Sequence, residues 1–230
     1  MNIQSYIKRS QGFCTALSIL IIAGILLLSI YGKSACFISL NSYHTFWLDV
    51  FFINYTFIGD GIFSICLIAA FLFFNKTKKQ FLALLVSFLL AGLGTQIIKN
   101  IFNAPRPKIF FEAGQYLHFI DGVSLANNYS FPSGHTATAF AIAAVLVYFI
   151  NNKNQQILLL LAAALVGYSR IYLAQHFLLD VLAGAILGTI SGFFGVYIAF
   201  KWIPLKLVVR KIQFSTFVKK VPKPATVFSA

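Results

Sequence analysis

Apolar residues in this chain come in long runs, and polar residues punctuate them. Six runs stand out, over roughly 13–31, 57–74, 80–102, 135–150, 156–173 and 178–200. An α-helix needs about 20 apolar residues, within a range of roughly 17–25, to cross a bilayer's hydrocarbon layer. Several of these runs sit near the short end of that range. The pattern predicts an all-α fold, an integral-membrane bundle of six transmembrane helices. No repeat or low-complexity tract interrupts it. The first run follows Lys8 and Arg9. At about 18 residues it exceeds the roughly 7–15 of a signal-peptide core, and no A-x-A cleavage site follows, so an uncleaved membrane helix is expected.

Composition agrees with the pattern. The 230 residues are 59% hydrophobic and only 10% charged, where a soluble domain carries about 25% charge. Mean hydropathy is +0.84. The formal net charge of +13 comes from 18 basic and 5 acidic residues. The basic residues flank the apolar runs, so membrane orientation and attraction to anionic lipid account for them better than a nucleic-acid partner does. Lys8, Arg9, Lys76, Lys78, Lys79, Lys153 and the acid-free tail after Phe200 all fall on one side of a six-span layout. The positive-inside rule then places both termini in the cytoplasm. The 32–56, 103–134 and 174–177 connections face the periplasm or exterior of a bacterial cell. Residues 1–200 are expected to form one membrane domain and 201–230 a basic cytoplasmic tail.

Cys14, Cys36 and Cys66 are odd in number, with spacing that fits no metal or disulfide framework. The 41–60 stretch mixes aromatics with His44, Asp49 and Asp60. It reads as an interfacial helix with solvated polar groups.

The polar residues near the outer ends of the later runs are harder to dismiss, because ionisable groups at membrane depth are costly. Lys99, Arg106, Ser133, His135, Arg170, His176 and Asp180 all reach the same face in this layout. Lys99, Arg106 and Arg170 are three cations with one acid nearby, a set that suits a phosphate's oxygens. In FPSGH, residues 131–135, Pro132 and Gly134 shape a turn at the mouth of an apolar helix. Ser133 and the backbone N–H groups there can face an anion. His176 and Asp180 are four apart and share a helical face. A carboxylate on one ring nitrogen leaves the other free as a nucleophile. His135 is a candidate general acid. Other readings stay open: Lys99 and Arg170 as snorkelling cations, and His135 with His176 as metal ligands, although the site lacks the further thiolates or carboxylates a metal would want.

Three segments taken together are more specific: KNIFNAPRP at 99–107, PSGH at 132–135, and SRIYLAQHFLLD at 169–180. In this order and spacing they resemble the signature of the type-2 phosphatidic acid phosphatase superfamily, whose members include integral-membrane lipid phosphatases. The motifs cover 99–180, and the span layout extends the likeness to about 13–200.

The resemblance implies roles. Lys99, Arg106, Ser133, Gly134 and Arg170 would bind the phosphoryl oxygens. His176 would become a phosphohistidine, Asp180 would orient it, and His135 would protonate the leaving group. No metal or other cofactor is implied. The expected partner is a membrane lipid with a phosphate or diphosphate head group. The 103–134 loop resembles those of envelope members that act on lipid A, undecaprenyl diphosphate or phosphatidylglycerol phosphate. Lipid A and undecaprenyl diphosphate are the expected substrates; a phosphatidylglycerol phosphate or phosphatidic acid phosphatase, a phosphotransferase, and a non-catalytic lipid-binding or transport protein are the alternatives. Glu112, His44, His118 and Asp121 fall outside the signature and are expected to be solvated loop residues.

Overall fold

The computed structural model describes residues 3–74, 78–111 and 117–201. Lys76, Glu112 and the basic tail from 202 onward lie outside these residues. A short helix, α1 (Ile3–Arg9), leads into α2 (Gln11–Leu40), which is broken at Gly32 where φ is +75°. Then come α3 (Phe46–Tyr55), a 3-10 turn over Thr56–Gly59, and α4 (Gly61–Phe74). The rest is α5 (Lys78–Phe102), the short α6 (Pro107–Phe110), α7 (Gly134–Val147), α8 (Lys153–Tyr172) and α9 (Leu178–Lys201).

The result is an all-α, polytopic membrane bundle. Among the described residues, four helices are long and apolar enough to cross a membrane, or five if the pair Phe46–Gly59 and Gly61–Phe74, bent by 53°, counts as one span. Six clear spans were expected, and the difference has two causes. The second run begins at Gly61 rather than 57, because Thr56–Gly59 winds into the tighter 3-10 turn. The fourth run yields α7, only 14 residues long, or about 21 Å at 1.5 Å per residue. Its apolar character has another use: α7 is buried along nearly its whole length and forms the axis of the bundle. Its residues pack into a core with Phe13 of α2, Leu160, Ala163 and Val166 of α8, and Ala185 of α9.

Small residues let α7 and α9 approach closely. Gly184, Gly188 and Gly192 repeat every four positions, so they share one ridge of α9. A Cβ on Gly188 would overlap the Ala137 carbonyl, and one on Gly192 would come 2.5 Å from Ala144 Cβ. This is the small-residue seam that replaces the hydrophobic drive for helix association inside lipid. The large apolar side chains turn outward instead: Ile19, Ile22 and Ile30 on α2, Leu93 and Ile97 on α5, and Leu158 on α8 are exposed. Phe46 and Trp47 stand exposed at the start of α3, as interfacial aromatics do.

The two ends of the bundle differ. At one, the Arg9 guanidinium lies over the Tyr148 ring, Lys79 lies over Phe200, and Gln156 bonds the Arg9 carbonyl. The other end collects the loops that carry the three signature segments.

The seam makes a differential prediction. Gly188→Ala should destabilise the protein by about 1–3 kcal/mol through overpacking. Gly92→Ala, on α5 where an added Cβ meets nothing within 4 Å, should be neutral or stabilise by up to about 1 kcal/mol. Thermal unfolding in detergent reads both; equal effects at the two positions would rule out the seam.

Candidate functional site

The site's floor is the meeting of two helix starts. Ser133 caps α7, its hydroxyl accepting from the Thr136 N–H at 3.4 Å and from the Thr136 hydroxyl at 2.8 Å. The Ser133 N–H in turn donates to the Asp180 carbonyl at 3.0 Å. A Cβ on Gly184 would lie 2.6 Å from the Ser133 carbonyl, so the turn of the FPSGH segment sits directly on α9.

Asp180 is 2% exposed, and its Oδ2 accepts from Ser130 Oγ at 2.5 Å and from the Phe177 N–H at 2.9 Å. His176, in the 173–177 turn between α8 and α9, is also 2% exposed. Its Nδ1 lies 3.5 Å from Asp180 Oδ2 and has no other partner among the described residues. That contact is electrostatic rather than a well-formed hydrogen bond; such pairs tighten when substrate binds. Burial pushes the His176 imidazole down to about 4, although the Asp180 carboxylate pulls it up. At neutral pH its ring is therefore uncharged, and Nε2 is left to act if Nδ1 keeps the proton facing Asp180.

Three cations surround this pair. Lys99 occupies the last turn of α5. Arg106 caps α6 and is held by the loop, its N–H on the Asn127 carbonyl and its Nε on the Asn128 carbonyl. Arg170, in the last turn of α8, is 5% exposed. Its Nη1 donates to Thr56 Oγ1 at 2.6 Å, while its buried Nε has no partner among the described residues. Lys99 feels the charge of Arg106, Arg170 and Asp180, and His135 that of all three cations and of His176. The structure thus brings Lys99, Arg106, Ser133, Gly134, His135, Arg170, His176 and Asp180 to one place. A buried guanidinium with an unused N–H is costly unless an acceptor arrives. The cluster can hold a tetrahedral anion between its cations, beside a neutral imidazole.

Sequence reasoning missed several neighbours. Asp60 Oδ2 lies 3.7 Å from His135 Nε2. Thr56 positions Arg170, and Gly59 packs so tightly that a Cβ would lie 2.7 Å from the His135 carbonyl. All three come from the 41–60 stretch, read from sequence as a solvated interfacial segment. The cost of a carboxylate at the edge of an apolar run was the available signal. Thr95, one turn before Lys99, is buried with a hydroxyl that has no partner among the described residues, and its Cγ2 would be 3.6 Å from a Cβ on Gly134. Lys33 Nζ rests 3.8 Å from the Phe177 ring centroid. Asp121 is exposed, as expected. His44 and His118 are not free in solvent; they gather around Asp49.

Residues 80–204 match the PAP2 superfamily. An undecaprenyl-diphosphatase of Sulfolobus acidocaldarius is 34% identical over 130 residues, 56% of this chain and 60% of that protein. A lipid A 4'-phosphatase of Porphyromonas gingivalis is 33% identical over 129 residues, 54% of each chain. The chain thus spans little more than half the length of these two relatives. The crystal structure of Aquifex aeolicus LpxE superposes with a TM-score of 0.63 at 32% identity, covering 72% of this chain and 94% of that one.

Ser130 tests how far Asp180 depends on its donors. Ser130→Ala removes the 2.5 Å hydrogen bond to a buried carboxylate and should cost about 1.5–3 kcal/mol of stability, read as a lower unfolding midpoint. An unchanged midpoint would show that Asp180 does not need it.

Proposed function

The chain belongs to the PAP2 superfamily, and we propose that it hydrolyses a lipid phosphate or diphosphate monoester at a membrane face through a phosphohistidine. The observation that carries this reading is the buried, half-satisfied Arg170 beside His176. It supplies a guanidinium N–H waiting for an oxygen next to an uncharged nucleophile.

The chemistry follows from the positions. Lys99, Arg106 and Arg170 hold the phosphoryl oxygens, with Gly134 leaving the helix start open and Ser133 donating its hydroxyl hydrogen. His176 Nε2 attacks phosphorus and the bond to the lipid oxygen breaks. His135 gives that oxygen its proton; the bound phosphoryl group, together with Asp60 Oδ2 at 3.7 Å from its Nε2, offsets the repulsion of the surrounding cations. Asp180 steadies the positive charge on His176. In the second step His135 takes a proton from water, which attacks the phosphohistidine. Inorganic phosphate leaves, and the His176 ring is neutral again. Fixed cations stabilise the charge on the transferred group, so release should need no added magnesium.

For the layout we propose six membrane-associated segments, with α7 as the inner one. Both termini are cytoplasmic, and the active face is periplasmic or exterior. The basic end of the bundle, with Arg9, Lys79 and Lys153, supports this orientation through the positive-inside rule. Residues 1–200 are the catalytic unit, and 201–230 the basic cytoplasmic tail. For the substrate we propose lipid A or undecaprenyl diphosphate. The two relatives named for these lipids are almost equally similar to this chain. A cleft of about 310 Å³ lined by Leu27, Phe140, Tyr168 and Leu182 offers an apolar path for a lipid chain.

Phosphate release by the full-length protein in detergent, from undecaprenyl diphosphate, lipid A, phosphatidylglycerol phosphate and phosphatidic acid, tests the reading. His176→Ala should lower turnover by roughly 10⁴-fold or more; retained turnover would remove the nucleophile. Arg170→Lys should cost roughly 10²-fold in kcat, because Lys cannot reproduce the guanidinium fork. Phosphate passed to an added alcohol instead of water would make the protein a phosphotransferase. Asp60→Asn should lower kcat with KM nearly unchanged, and Asp60→Glu should recover part of the loss. A change confined to KM would place Asp60 in binding instead.

A further inference from the structure

The polar residues left over by this reading are not scattered. His44, Asp49 and His118 come from three places in the chain. His44 precedes α3, Asp49 lies within its first turn, and His118 belongs to the long loop before α7. Each offers one ligand atom, and these atoms all lie within 4.8 Å of one another. The side chains of His44 and Asp49 are only 8% and 20% exposed, and that of His118 is 35% exposed.

The hydrogen bonds around the cluster set a constraint. His44 Nε2 lies 2.8 Å from the Asn41 carbonyl. A carbonyl only accepts, so Nε2 carries the proton. Asn41 is itself fixed, its side-chain amide donating to the carbonyls of Ile171 and Tyr172 at 2.9 and 2.8 Å. In the neutral ring Nδ1 is then a bare lone pair, and it faces Asp49 Oδ1 at 3.3 Å. That oxygen already accepts from the Tyr172 hydroxyl at 2.5 Å. Two acceptors facing each other at this distance need a positive charge between them. A proton on His44 would supply one, but it would leave His118 unexplained. His118 Nε2 stands 3.8 Å from Asp49 Oδ2, too far for a hydrogen bond. The two imidazole rings lie 4.1 Å apart, centroid to centroid, close for two cations.

We propose that His44 Nδ1, His118 Nε2 and an Asp49 oxygen bind one divalent zinc-type ion. One ion accounts for all three atoms. The 3.3 Å between Nδ1 and Oδ1 is the separation that two ligands about 2.0–2.1 Å from one tetrahedral zinc would show. The surroundings are those of a ligand set: the far nitrogen of His44 donates to a backbone carbonyl, and the carboxylate accepts from a tyrosine. Such partners orient metal ligands and fix the imidazole tautomer. Two imidazoles and a carboxylate suit zinc, with the fourth position left to water. The ion ties α3 to the loop carrying His118, over the Tyr172 end of α8. The same loop runs on to Asn127 and Asn128, which hold Arg106. The site is therefore a clamp on the loop, separate from the phosphate chemistry, and it is tested without turnover.

The test is metal content of the full-length protein in detergent, stripped with chelator, loaded with zinc or cobalt and desalted. Wild type should retain one ion per chain. With cobalt it should show ligand-field bands without thiolate charge-transfer absorption, which separates this site from the cysteines. Added zinc should raise its unfolding midpoint. His118→Ala and Asp49→Asn should each lose most of the retained ion and the zinc-dependent shift. No stoichiometric retention by wild type overturns the proposal and leaves a protonated His44 beside Asp49. Equal retention in the variants also overturns it. Should the variants fail to fold, the wild-type stoichiometry and cobalt spectrum decide alone.

Discussion

The structure turns on how closely α7 and α9 can approach. Gly184, Gly188 and Gly192 leave no side chain between α9 and the backbone of α7. The contact therefore brings two helix starts together, and Ser133 can bond the Asp180 carbonyl directly. In lipid, apolar side chains gain little by leaving one another's company for the bilayer, so helices associate where small residues permit close packing. The same seam explains why α7 is short and enclosed. It begins at the sunken floor of the site, and most of its residues are buried in the bundle.

Around that floor the electrostatics are deliberately incomplete. Among the described residues the Arg170 side chain donates to one partner, Thr56, and keeps a buried N–H unused. Lys99 is repelled by Arg106 and Arg170, and Arg170 by Arg106, with Asp180 and Asp60 as the nearby acids. Such an arrangement costs folding free energy and is relieved by an anion. Asp180 is the exception, held by Ser130 and the Phe177 N–H. Its rigidity is what a carboxylate needs if it is to orient a neighbouring imidazole.

How much of this was legible beforehand varies residue by residue. The grouping of Lys99, Arg106, Ser133, His135, Arg170, His176 and Asp180 followed from the apolar runs, because each sits at the same end of its run. The partnership of Asp60 with His135 did not. It depends on a 53° bend at the end of the 3-10 turn, and nothing in the apolar pattern marks where a helix pair breaks. The apolar runs overcount clear spans for a related reason: hydropathy cannot tell a helix buried in protein from one bathed in lipid.

The amino-acid pattern alone makes this chain helical and membrane-embedded, and sets which residue types assemble at one end. Those properties are carried by the length, order and spacing of apolar runs, which are local. Which side chains touch is settled by the folded bundle. It set Thr56 on Arg170, Asp60 beside His135, and His44, Asp49 and His118 around one point. Those contacts join residues distant in sequence through helix bends and close-packed seams, and their geometry exists only once the bundle has closed.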